Sequence, residues 1–187
     1  MKTILGIDPS LTSTGIVTLQ GGVVDLTQTT KDMPKLETIE RVRLIREQVN
    51  KVIQHPSIAL DLIVIEGFSF GSKGRSLFEI AYLGYRIRED LEHFKNNEGI
   101  PWIEVSPDSV KKFTSNMGTS TKSVMIKEVY KRWGFDTNSD DLADAYALAQ
   151  IGRAYLGENN DLTAFQREVI ANLKGDKPAK KTRKKVK

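Results

Sequence analysis

The chain has 187 residues, 39% of them hydrophobic, a net charge of +4 and no cysteine. That length suits one domain with a full core, and the absence of cysteine excludes disulfides and thiolate metal sites. With His55 and His93 far from every acidic motif, any metal here is held by oxygen. Asp8 and Pro9 interrupt the first apolar run before a signal-peptide core can form, and no run reaches membrane-spanning length, so the protein is expected in the cytoplasm with no membrane partner.

In chain order, residues 2–8 form a predicted strand ending in Asp8. Residues 14–19 and 23–27 follow as two more, joined at Gly21-Gly22, a pair that points to an antiparallel meander. Residues 36–53 carry Leu36, Ile39, Val42, Ile45, Val49 and Val52 at helical spacing. Residues 61–66 are then a fourth strand, too apolar for burial on one side only. A long helix spans residues 75–94, with Leu77, Ile80, Ala81, Leu83, Gly84 and Ile87 along one stripe, in which Ala81 and Gly84 permit close approach of another helix. Residues 102–105 make a fifth strand. Ser106-Pro107-Asp108 reads as a helix start, Ser120 or Thr121 caps another helix, and Ser139 or Asp140 caps one carrying residues 143–156. Trp133 reads as core, and residues 161–173 form the last helix. The order predicts an α/β fold: a mixed five-stranded sheet, a three-strand antiparallel meander plus two parallel strands, with helices on both faces. The fourth strand then lies parallel beside the first.

That adjacency sets Asp8 and Glu66 side by side outside the carboxyl ends of the strands, where open α/β sheets bind ligands. Asp141 and Asp144, three residues apart, share a face of the helix expected across the top. Asp140 points about 100° away from Asp141 yet stands i, i+4 from Asp144, so spacing leaves it open as a participant. Taken singly, Asp140 and Asp141 also suit capping and dipole compensation. Several acids at one point stay ionised only with a cation among them, and oxygen ligands favour Mg²⁺ or Mn²⁺. Two such ions about 3.5–4 Å apart activate water and stabilise both the attacking and leaving oxygens of a phosphodiester. Asp8 suits the bridging position, with Glu66 and the helical acids holding one ion each.

ILGIDPSLTSTGIV, VIEGF and DLADAYALA resemble the first strand and turn, the second acidic strand and the terminal D-x-x-D-A-x-A helix of the RuvC-type Holliday junction resolvases, over most of residues 1–157. VKKFTSNMGTSTKSV resembles that family's basic segment, with Lys111 and Lys122 on either side of a Gly-containing turn. The resemblance implies a ribonuclease H-like fold and favours Asp141 over Asp140. It implies a structure-selective DNA endonuclease with two Mg²⁺ (or Mn²⁺) per active site, held by Asp8, Glu66, Asp141 and Asp144. It implies a homodimer that resolves four-way DNA junctions by paired symmetric nicks. Lys122, at a predicted helix start, suits steadying the scissile phosphate; read without the family it is equally an ordinary solvated lysine.

The segment after Glu66, GFSFGSKGR, is glycine-rich and carries two aromatics for stacking on unpaired bases, Phe68 and Phe70, and two cations for phosphates, Lys73 and Arg75. The family's stacking aromatic stands three residues after the glutamate, whereas here the aromatics stand two and four after it. The role stays open between Phe68 and Phe70, and core packing is the alternative for each. Residues 174–187 hold eight Lys/Arg against one Asp, a net +7, leaving residues 1–173 at −3. The expected organisation is a nuclease domain over residues 1–173 and a disordered basic tail over 174–187, suited to nucleic acid.

A strand ending in Asp before a Gly/Ser/Thr-rich turn also opens sugar kinases and actin-like ATPases, but those need two such subdomains, more than 187 residues supply. Nearer alternatives are a ribonuclease H-like nuclease for other branched DNA or RNA/DNA hybrids, and a non-catalytic junction-binding protein. A hybrid-cutting enzyme commonly carries an acid on its first long helix, where Glu37, Glu40 and Glu47 stand, whereas Glu66 ends a strand. A non-catalytic relative is expected to have lost an acid, and none is missing.

Overall fold

The computed structural model describes residues 1–31, 36–68, 75–159 and 161–176. Phe70, Lys73, the side chain of Arg75 and the tail beyond residue 176 lie outside the described residues. Strands β1 (Thr3–Asp8), β2 (Gly15–Gln20), β3 (Val23–Thr29), β4 (Leu62–Glu66) and β5 (Trp102–Val105) form one sheet in the order β3-β2-β1-β4-β5. β1 is antiparallel to β2, and β2 to β3, while β1 with β4 and β4 with β5 are parallel. This is the expected meander plus two parallel strands.

Among the described residues six helices cover the sheet: α1 (Thr38–Ile53), α2 (Arg75–Glu98), α3 (Pro107–Ser115), α4 (Lys122–Trp133), α5 (Asp140–Tyr155) and α6 (Ala164–Leu173). α5 starts at Asp140 because the Ser139 hydroxyl accepts from the Leu142 N–H. α6 starts three residues later than expected, where Thr163 and Gln166 form a capping box.

The alternation of strand side chains divides the core between two faces. Ile4, Val17, Leu19, Leu62 and Val64 pack under α5 with side chains from α3, α4 and α6, whereas Leu5, Ile7, Ile16, Ile63 and Ile65 pack against α1 and α2. Ile39, expected in the buried stripe of α1, is 74% exposed, because that stripe begins one turn later at Val42.

α5 descends onto the sheet almost to backbone contact. A Cβ on Gly6 would lie 2.0 Å from the Ala145 carbonyl oxygen, and one on Gly15 2.1 Å from that of Asp141, so neither position has room for a side chain. The fully buried Ala143, Ala145, Ala147 and Ala149 complete that approach. It anchors the N-terminal turn of α5 above the carboxyl end of β1. No helix among the described residues is long and apolar enough to cross a membrane.

Candidate active site

Ile7 and Ile65 are register partners on the parallel pair β1/β4, so the residues that follow them, Asp8 and Glu66, leave adjacent strand ends. Their side chains are hydrogen-bonded to each other. Burial first, then the charges of Glu66, Asp144 and Asp141, push the Asp8 carboxyl well above the usual carboxylate range. Burial also raises Glu66, opposed by the Asp8 hydrogen bond and the charge of Lys111. Across the site, α5 presents Asp141 and Asp144 from its first two turns. The Asp144 carboxyl is pushed up to about 7, mainly by burial and then by Glu66 and Asp140. Its Oδ1 is buried with no hydrogen-bond partner among the described residues.

The structure thus brings all four expected acids into one electrostatic neighbourhood, but not into a finished cage. Among the described residues no three acidic or histidine side chains are grouped as a metal ligand set. Burial and, at Asp8 and Asp144, the charges of neighbouring acids disfavour the ionised carboxylates there. The residues nevertheless fit a hard divalent cation. The donors are all oxygen, burial raises the carboxyls of Asp8, Glu66 and Asp144, and Asp144 Oδ1 is a buried acceptor with no partner among the described residues.

Beside the acids opens a cleft of about 430 Å³, whose walls include Glu66, Lys111, Thr121, Lys122 and Asp144. α3 begins where the Ser106 hydroxyl accepts from the Ser109 N–H and ends at Asn116, whose left-handed φ of 68° turns the chain towards α4. That turn brings Lys111 of α3 and Lys122, the first residue of α4, to one cleft. Lys122 is 79% exposed along its side chain and ion-paired with Asp140. The pairing raises the Lys122 amine and lowers the Asp140 carboxyl. Asp140 is therefore engaged by a lysine, which sets it apart from its neighbour Asp141.

Phe68 is half-buried and packs on α2. Its ring lies 4.9 Å from that of Tyr85, and the Arg88 guanidinium stands 4.1 Å from its centroid. Gly84, expected to admit another helix, instead admits this ring: a Cβ there would lie 2.4 Å from Phe68 Cε1. Two contributors escaped the sequence reading. Lys31 acts on Asp140 from beyond β3, and Arg88 has as its only sequence signal a cation interrupting the apolar stripe of Leu83, Ile87 and Leu91.

No known family profile matches the chain. In sequence it is 27% identical over 161 residues to the crossover junction endodeoxyribonuclease RuvC of Gloeobacter violaceus, covering 80% of this chain and 86% of that one. In structure it is similar to Thermus thermophilus RuvC, with a TM-score of 0.62 at 20% identity over 83% of this chain and 97% of that one. The T. thermophilus RuvC in complex with a Holliday junction substrate gives 0.65 at 19% identity, over 84% and 98%. The yeast mitochondrial Holliday junction resolvase gives 0.55 at 13% identity, over 92% and 80%.

Proposed function

We propose that the chain, similar in sequence to a RuvC and in fold to RuvC structures, is a divalent-metal-dependent endonuclease that resolves four-way DNA junctions by paired symmetric nicks. One observation carries the reading. The carboxylates of Glu66 and Asp144, both close enough to act on Asp8, line a cleft that carries Lys111 and Lys122. Acids alone repel a phosphodiester, and lysines alone do not hydrolyse one; together with metal they do both tasks.

Asp8, Glu66, Asp141 and Asp144 would hold two Mg²⁺ (or Mn²⁺), which supply an activated water and neutralise charge on the reacting phosphate. The protein's own groups do the rest. The close seat of α5 on Gly15 fixes Asp141 and Asp144 relative to Asp8. Lys122, released from Asp140 or shared with it, meets the scissile phosphate, and Lys111 balances Glu66 and Asp144 from the opposite wall. With Phe68 packed against Arg88 and Tyr85, Phe70 is the aromatic assigned to unpaired bases, and Lys73 and Arg75 are assigned to phosphates.

A two-fold junction calls for a two-fold protein. α2 offers the contact: Phe78 (75% exposed), Tyr82 and Tyr85 (66%) stand at i, i+4 and i+7 on its outer face, an apolar stripe suited to a second copy. Residues 1–173 act as the nuclease unit and residues 174–187 as a cationic arm, working in the cytoplasm. The decisive experiment incubates the protein with Mg²⁺ or Mn²⁺ and labelled four-way, three-way, flap, linear and RNA/DNA hybrid substrates. Paired nicks at symmetric positions of the four-way junction are expected. Equal cutting of linear duplex, or preference for the hybrid, would remove junction resolution.

A further inference from the structure

We propose that Arg88 is a positioning residue for Glu66, holding the metal-facing carboxylate from behind; the inference rests on the proposed metal site. The peptide unit joining Glu66 to Gly67 is pinned at both of its polar groups. Arg88 Nη2 donates to the Glu66 carbonyl oxygen at 3.0 Å, and the Gly67 N–H donates to the Val105 carbonyl oxygen at 2.7 Å. A fixed peptide plane at the last residue of β4 fixes the direction in which the Glu66 side chain leaves the strand.

Arg88 is itself held on every side. Its Nε donates to Glu104 Oε2 at 2.7 Å and its Nη1 to the Gly84 carbonyl oxygen at 2.9 Å, and the Phe68 ring lies against the guanidinium at 4.1 Å. The residue is only 9% exposed, between the core residues Leu83, Ile87 and Leu91. An apolar side chain would fill that place without the cost of desolvating a cation. What an apolar residue lacks is the planar fork that reaches the Glu66 carbonyl, the Gly84 carbonyl and Glu104 together. The same clamp seats Phe68, so Phe68 and the Glu66 carboxylate share one support. Groups that hold a metal ligand from behind typically change metal affinity by about ten- to a hundredfold.

The test measures Mn²⁺ binding to the DNA-free, full-length protein by electron paramagnetic resonance. Arg88→Met is compared with Arg46→Met, a control that breaks a similarly enclosed arginine–carboxylate pair, with Asp90, between α1 and α2. Arg88→Met is expected to weaken Mn²⁺ binding about ten- to a hundredfold, with Arg46→Met at the wild-type value and Arg88→Lys between. In single-turnover junction cleavage, added Mn²⁺ should recover the Arg88→Met rate, which a folding defect would not allow. Gly84→Ala is the second probe. Its methyl would lie 2.4 Å from Phe68 Cε1 and 3.1 Å from Arg88 Nη1 while favouring the helix, so it disturbs the clamp without deleting a charge. It should weaken Mn²⁺ binding in the same direction. Mn²⁺ affinity unchanged in both Arg88→Met and Gly84→Ala, or weakened equally in Arg46→Met, overturns the clamp alone. Wild-type protein that binds no Mn²⁺ overturns the metal site and the clamp together.

Discussion

Two of the places where the described residues enclose carboxylates are built in opposite ways. Between α1 and α2, Asp90 accepts two hydrogen bonds from Arg46, at 2.8 and 2.6 Å, and a third from Asn50 at 3.2 Å. The pair raises the Arg46 guanidinium further, so the charges there are matched inside the protein. At the ends of β1 and β4, by contrast, Asp8 and Glu66 turn to each other and Asp144 keeps a buried oxygen without a partner. An enclosed acid with its own cation braces two helices. Where Lys111 only partly offsets the acids, the fold bears the rest of their repulsion.

The largest effect expected from this contrast is on cleavage. Asp8→Asn should lower junction cleavage in Mg²⁺ by more than about a hundredfold, beyond what loss of a supporting group does, while junction binding persists. Cleavage at the wild-type rate would remove Asp8 from the mechanism. The same substitution should raise the metal-free melting temperature at about pH 8, since a neutral amide replaces an acid that burial disfavours when ionised. Next in size, and of opposite sign, Asp90→Asn should destabilise the fold by about 1–3 kcal/mol, because it leaves Arg46 without its anion. That loss should be indifferent to Mg²⁺, and each folded molecule should still cut. A Mg²⁺-dependent loss in Asp90→Asn would erase the distinction between the two places.

How much of this was legible beforehand follows from how local each signal is. β1 and β4 are short apolar runs that stop at an acid, and Asp141 and Asp144 stand at a helical repeat, so both the sheet order and the gathering of acids follow from patterns a few residues long. The Lys122–Asp140 pair and the Arg88 clamp join residues 18 and 22 positions apart through the fold, and no local pattern encodes them. Gly84 misled for a related reason. A small residue announces a close approach without saying what approaches, and here it is the ring of Phe68. Ile39 misled because helical spacing extends a stripe past the point where the helix meets the sheet.

A smaller effect sharpens the contrast through pH. Burial holds the carboxyls of Asp8 and Asp144 above their ordinary range. Such groups favour the folded state while protonated, so their contribution is intact below the unfolded carboxylate value of about 4. It is lost as pH rises through the raised folded value, about 7 for Asp144. Metal-free protein should therefore lose stability across that window, Asp90→Asn should lose it with the same slope, and Asp8→Asn should show a shallower one. Urea unfolding at a series of pH values reads all three, and a wild-type curve flat from about pH 4 to 7 would contradict the shifts.

The smallest effect concerns cations that no enclosed acid uses. Residues 174–187 carry a net +7 against −3 for the remaining 173 residues, so the chain's excess positive charge lies almost wholly beyond α6. The described chain reaches that tail past Lys174, whose amine lies 5.3 Å from the ring of Tyr155, the last residue of α5. α5 presents its acids from the other end, and 16 helical residues span about 24 Å. Lys174 thus lies by the end of α5 opposite to the acids. Deleting residues 175–187 should weaken junction binding and reduce the slope of log affinity against log salt by about one for each phosphate that the tail neutralises. Cleavage by fully bound enzyme and its Mg²⁺ requirement should stay as they were. A shifted Mg²⁺ requirement would mean that the tail reaches the acids after all, and an unchanged salt slope that it does not touch DNA.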